Sequence, residues 1–189
     1  MVAAEANAVA ALRVLLHSGA AATGSALHRA ACCGHAAAIE LLLAHQAPLE
    51  YRTAAGFNSL HGACSGGHYE AARALIDASA SVDEWAPNPD PKLPVGQREL
   101  GFNPVILAAL NDHTSVLQLL GDNGVCVDAA DNAKKTALMH AAGNGYVGAM
   151  RVLMAMGSRV DHQDGDGETA LYRAVLNGYE PAVRILLQV

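Results

Sequence analysis

Lys135–Tyr146 reads KTALMHAAGNGY, and Glu168–Tyr179 reads ETALYRAVLNGY. The same frame stands earlier as SALHRAACCGH from Ser25, NSLHGACSGGH from Asn58 and NPVILAALNDH from Asn103. The anchors at 25, 58, 103, 136 and 169 are 33 residues apart, except for one interval of 45. Self-similarity at a fixed period of this size means a stacked array, in which each unit buries its apolar face on its neighbours. Such arrays usually serve as surfaces for partners, so binding is the expected class of function.

Each unit reads as two helices and an arm. Ser25, Asn58, Asn103, Thr136 and Thr169 each suit a helix N-cap, since a short polar side chain can accept from the free amides of the first turn. Pro104 follows one of them, where a missing N–H costs nothing. In the unit at Thr136 the first helix turns Leu138, Ala141 and Ala142 inward and ends at Gly145, a left-handed cap. Gly34, Gly67 and Gly178 match that glycine, with Asp112 as the departure, and Gln46 and Ser79 stand where second helices should end on glycine. The second helix carries Val147, Met150, Val152, Leu153 and Met154 at helical spacing. Its polar spot at Arg151 recurs as Glu40, Arg73, Gln118 and Arg184, which marks a solvent-facing position. Gly157 ends it, and an arm with turn chemistry at Asp164 to Gly167 leads to the next unit.

The chain has 189 residues, 52% hydrophobic and 16% charged, which excludes general disorder. Only 4% is aromatic, so alanine and leucine must build a thin, closely packed core. A formal net charge of −6 argues against backbone-driven nucleic-acid binding. Charged and polar residues break every apolar run before membrane-spanning length, and Val2 to Val14 reads as an amphipathic helix without a basic start. Cys32, Cys33, Cys64 and Cys126 have no disulfide-framework spacing, so a reducing intracellular, cytoplasmic setting is expected.

The TPLHxAA-type segment, the GH or GY at the helix turn, the LL-x-x-G end and the VD arm resemble the ankyrin repeat, over Ala8 to Val189. The resemblance implies an all-α solenoid of helix–turn–helix units with short β-hairpin fingers, and partners held on the concave side of fingertips and first helices. Five full units would start near 25, 58, 103, 136 and 169, after a partial leading unit over 1–24, in one domain over 1–189. In that leading unit Val9, Leu12, Leu15 and Leu16 form the apolar stripe, and the short link from Gly19 to Ser25 leaves no room for a full finger. At the other end, Leu171, Ala174, Ile185 and Leu186 are expected to be partly bare, as though the array had been cut from a longer one or met a partner.

The longer interval holds a proline-rich insertion over 84–102, with Pro87, Pro89, Pro91 and Pro94 between Trp85 and Phe102. An elaborated fingertip loop and a ligand-contacting loop both remain open readings. Nine histidines invite a metal reading. However, His28 and His61 fall on the repeat's histidine, which by the resemblance bonds backbone between units, and His35, His68 and His113 fall on the helix turn. The paired short spacings that zinc favours are missing, so no metal, cofactor or catalytic residue is expected. Asp161, Asp164, Asp166 and Glu168 do not follow the calcium-loop register and read as a solvated turn or a contact for a basic partner. His140 reads as a satisfied packing residue. Asn111, Asn144 and Asn177 recur one period apart, either as plain helix ends or as a ladder facing a partner.

The expectation is therefore a non-enzymatic, monomeric module that binds another protein. Its candidate contacts, placed by the resemblance, are Ala54, Phe57 and Ser65; Leu100, Phe102, Leu110 and Asn111; Asn132, Lys135 and Asn144; Asp164, Asp166, Glu168 and Asn177; and Trp85 from the insertion. The partner near the last fingertip would be basic, and neither nucleic acid nor membrane insertion is expected. The rival reading is a targeting or regulatory segment of a larger enzyme or ligase whose catalytic part lies elsewhere.

Overall fold

Short apolar stretches, with a side-chain cap opening the first helix of each pair and a left-handed residue closing every helix but the last, give eleven helices among the described residues. The computed structural model describes residues 2–86 and 101–188, with the backbone alone for 2–7. Leu100 and the four prolines of the insertion lie outside those residues. Two compact bodies form, Met1–Ser81 and Val82–Val189.

In the first body α1 (Val2–His17) precedes two helix pairs, α2 (Gly24–Cys32) with α3 (Ala36–Ala44), and α4 (Ser59–Ser65) with α5 (Tyr69–Asp77). α2 packs on α4 and α3 on α5, so the pairs stack in order. The second body repeats this with α6 (Pro104–Leu110) and α7 (Thr114–Asp122), α8 (Ala137–Gly143) and α9 (Val147–Ala155), and α10 (Ala170–Leu176) and α11 (Glu180–Leu186). First helices pack on first helices and second on second. The buried core is made of small and aliphatic side chains such as Leu27, Ala63, Leu75, Ala109, Leu138, Ala142 and Leu153.

The caps follow the sequence reading with one correction. Asn58, Asn103, Thr136 and Thr169 accept from the amides of His61, Ile106, Met139 and Tyr172. His61 closes a capping box with Asn58. In the first full unit, however, the cap is Thr23, whose hydroxyl accepts from Ala26 N at 3.2 Å, while the Ser25 hydroxyl bonds Thr23. α2 starts earlier because Gly24 lets Tyr51 lie against the backbone; a Cβ there would fall 2.1 Å from Tyr51 Cβ.

Gly34, Gly67, Gly145 and Gly178 are left-handed as expected, and Asp112 takes the same conformation at φ 54°. Gln46 and Ser79 do so too, at φ 63° and 73°, a strained place for any side chain. Arg151, Glu40, Arg73, Gln118 and Arg184 all face solvent. The expected β-hairpin fingers are reduced, among the described residues, to single antiparallel bridges, Ala86 with Phe102 and Ala130 with Thr136.

Two apolar flanks differ from expectation. In α1 Leu16 is buried and Val9 and Leu12 half-buried, but Leu15 is exposed. At the far end Ala174, Ile185 and Leu186 are buried and Leu171 is half-buried. α11 turns its apolar side onto α9 and α10. The bare residues there are instead Tyr172, Val175, Leu176, Tyr179 and Leu187.

Candidate functional site

The arms before α4, α8 and α10 each close into a five-residue turn, and the three turns share one geometry. Thr53 N donates to Phe57 O at 2.9 Å, Asp131 N to Lys135 O at 3.0 Å, and Asp164 N to Glu168 O at 2.9 Å. The fourth residue is left-handed each time: Gly56, Lys134 and Gly167, at φ 81°, 60° and 78°. The first side chain then reaches back across the turn. Thr53 Oγ1 accepts from Phe57 N at 3.1 Å. Asp131 accepts from Ala133 N and Lys135 N, both at 2.9 Å. Asp164 accepts from Asp166 N at 3.0 Å and Glu168 N at 2.9 Å.

In the last two units the carboxylate also ties the turn to the helix that follows. His140 Nε2 lies 2.9 Å from Asp131, and Arg173 donates to Asp164 at 2.6 Å and to Glu168 at 2.7 Å. His140 is thus satisfied by a carboxylate, in keeping with a structural role. Burial alone would push the Asp131 carboxyl up, but His140 and the amides of Lys135 and Ala133 outweigh it and hold the group below the ordinary carboxylate range. Asp164 is held low in the same way, with burial opposed by Arg173 and the amides of Glu168 and Asp166.

These locks set how far each candidate residue is exposed. Asp164 is corrected: its side chain is 0% exposed and holds the turn from inside, so the acidic cluster is no open patch. Glu168 is half-buried on Arg173, and Asp166 is the exposed acid of the turn. Oxygens of these three carboxylates lie within 4.8 Å of one another, and the arginine binds two of them. Ala54 and Asn132 are exposed at their tips, Lys135 is half-buried, and Phe57 packs edge-on against His61 at 5.7 Å. Ser65 is exposed and Leu110 half-buried at the ends of their first helices. Trp85 and Phe102 are half-buried where the insertion begins and ends, and the Ala86–Phe102 bridge closes its base.

The asparagine series ends its helices as the plainer reading had it. Asn111 and Asn144 donate to Leu107 O and His140 O of their own helices, at 2.9 and 3.0 Å, while Asn177 donates to Gly143 O of the preceding unit at 2.6 Å. All three remain exposed. His28 knits units as the resemblance implies, its Nδ1 bonding Asn58 O at 3.1 Å, and His68 Nε2 bonds Cys32 O at 3.1 Å, whereas His61, at the same repeat position as His28, caps its own helix with Asn58. Cys32 lies 3.4 Å from His28, and its thiol is pushed up by burial and by Cys33; burial raises Cys64 further.

Sequence reasoning missed Asp131, Arg173 and the Asp128–Arg159 tie, in which Asp128 accepts from Arg159 N at 3.0 Å and Nε at 3.2 Å. One signal was available. Asp131 to His140 and Asp164 to Arg173 have the same spacing, one period apart.

The period, the capped helix pairs and the closed turns define a helical repeat protein. A family described as ankyrin repeats, in three copies, matches residues 1–85, 87–164 and 105–189. The chain belongs to this family of protein-interaction repeats. A stretch of 70 residues is 40% identical to protein phosphatase 1 regulatory subunit 27 of Homo sapiens, covering 37% of this chain and 44% of that protein. The chain therefore spans less than half the length of that relative. No helix among the described residues is long and apolar enough to cross a membrane.

Proposed function

We propose that the chain binds a partner protein along its finger tips and the ends of its first helices, and acts by binding, without catalysis or cofactor. The observation that supports this most is the division of labour within each turn. A buried or half-buried first residue fixes the backbone, while Ala54, Asn132 and Asp166 stand outward. A surface fixed before binding loses little entropy on association. In the first body Phe57 and, at its helix end, Ser65 accompany Ala54; in the second body Leu110, Asn111, Asn144 and Asn177 at the helix ends, with Trp85, Phe102, Lys135 and Glu168, accompany Asn132 and Asp166. The net charge of −6 and the exposed Asp166 favour a basic patch on the partner.

The likeness to a protein phosphatase 1 regulatory subunit supports a second reading, in which the partner is an enzyme that this module regulates. One experiment addresses both. The chain is immobilised, captured proteins are identified by mass spectrometry, and the affinity of the main one is measured for wild type and for Asn132→Ala with Asn144→Ala. The double variant is expected to bind about tenfold or more weakly, with unchanged helicity. Unchanged affinity would remove the tip and helix-end surface. A phosphatase among the captured proteins would favour the second reading.

A further inference from the structure

One position near the end of the second helix carries a large apolar side chain in most units. It holds Leu43, Ile76, Met154 and Leu187, and the first three are half-buried. In α7 the same position holds Gly121. Glycine is a poor helix former, and Gly121 lies inside the helix without the positive φ that would require one. A local rule broken in this way points to a role for the space left behind.

That space is a groove of about 310 Å³ between α7 and α9. Val125, Val127, Val152 and Met156 give it apolar walls, and Gln118 and Asp122 line its polar side. Met156 leans over Gly121, where a Cβ would fall 3.0 Å from its methyl carbon. A thioether is unbranched and adaptable, so it can re-pack around an incoming group. Gln118 and Asp122 are exposed, and neither side chain makes a hydrogen bond or ion pair among the described residues. No basic residue lines the groove among the described residues.

We propose that this groove binds an extended segment of a partner protein. One large apolar side chain of that segment fills the space over Gly121, and a neighbouring lysine or arginine pairs with Asp122. The size sets the first part. The groove is at the small end of the roughly 300–1,000 Å³ range of ligand sites. A docked helix would need several anchor pockets at successive turns, whereas this groove holds a single anchor. The charge sets the second part, since an unpaired carboxylate beside apolar walls favours a cation next to the anchor. The groove is built by second helices, apart from the finger tips and first-helix ends, so its test does not depend on them.

The test labels the valine and methionine methyls of the full chain and follows them by NMR. The probe is the peptide acetyl-Gly-Trp-Lys-Gly-amide, titrated beside the same peptide with Glu in place of Lys. Shifts are expected at Val125, Val127, Val152 and Met156. The Lys peptide should bind about two- to fivefold more tightly, and Asp122→Asn should erase the difference. Gly121→Leu restores the side chain that other units carry and should abolish binding of both peptides with helicity kept. Gly121→Ala, which meets only the flexible end of Met156, serves if leucine disturbs the helix, and should weaken binding at least about threefold. Methyls that move with neither peptide, or that move equally in the Gly121 variants, would overturn the proposal. So would equal affinity for the two peptides, tryptamine bound as tightly as the Lys peptide, or a wild-type dimer that Gly121→Leu dissolves. Those results would give the groove to a neutral segment, a free amine or a second copy.

Discussion

Replacing Asp164 tests whether the finger turns are locked by charge. Its carboxylate accepts two backbone amides, at 3.0 and 2.9 Å, and the Arg173 guanidinium at 2.6 Å. Asp164→Ala removes all three. Breaking a fully buried ion pair costs about 3–5 kcal/mol. Here Arg173 is 21% exposed and keeps Glu168, so water and the second carboxylate offset part of that cost. A loss of about 2–3 kcal/mol is expected. Asp164→Asn keeps an oxygen for both amides but sets an amide NH2 against the Arg173 guanidinium in place of the ionic bond, for about 1–3 kcal/mol. Urea unfolding followed by circular dichroism measures both, and hydrogen exchange should show the loss concentrated in 164–177.

The pH dependence separates charge from shape. Asp164 is held below its ordinary range, so the folded chain binds fewer protons than the unfolded one as the pH drops. The contribution is therefore complete above the unfolded value of about 3.9 and is lost as pH falls through the lower folded value. The stability gap between wild type and Asp164→Asn should stay level from about pH 5 to 7 and narrow below about 3.9. A gap as wide at about pH 2.5 as at pH 7 would refute the ionic lock and leave shape alone as its cause.

Two further outcomes follow from the left-handed positions. Gly145→Ala and Gly178→Ala share the same backbone strain, but only the first meets a ring; it should lower stability by at least about 1 kcal/mol more in urea unfolding, and equal losses would mean that Tyr179 does not need the glycine. Gln46→Gly and Ser79→Gly should each stabilise by up to about 1 kcal/mol, read as a higher urea midpoint, and a lower midpoint for either would show that the side chain contributes more than its strain costs.

Much of the fold was legible because its signals are local. A cap needs one polar residue at one place, and a left-handed end needs one residue with a positive φ, so both could be read from the period, even at Gln46, Ser79 and Asp112. What escaped was decided across distance. Ser25 is by itself at least as good a cap as Thr23, yet Thr23 caps the helix, with Tyr51, far along the chain, closed on Gly24. HQDGDGET reads as a solvated turn until Arg173, on the next helix, claims Asp164 and Glu168. The terminal flank was misplaced because Ile185 and Leu186 look like seam residues. Both are buried, with α11 packed on α10 and α9, and the exposed apolar residues of that pair are Tyr172, Val175, Leu176, Tyr179 and Leu187.

The three locked turns bear on how such a chain can recognise partners at all. Thr53, Asp131 and Asp164 make the same back-reaching bond with different chemistry: a hydroxyl, a carboxylate with imidazole, a carboxylate with guanidinium. The backbone geometry is common to all three, and the left-handed fourth residue is glycine in two turns and lysine in one. Between the fixed ends the tips differ freely, as Ala54–Ala55, Asn132–Ala133 and Gly165–Asp166. Positions that hold the turn are turned inward, and positions that vary are turned outward. A tip side chain can therefore change without moving the backbone that carries it. Under the proposed function, affinity would be set by the identity of a few outward residues on a frame already in place, an arrangement that loses little entropy on association. By the same reasoning, a substitution at Asp131 or Asp164 should disturb binding through the backbone, and one at Asn132 or Asp166 through contact alone.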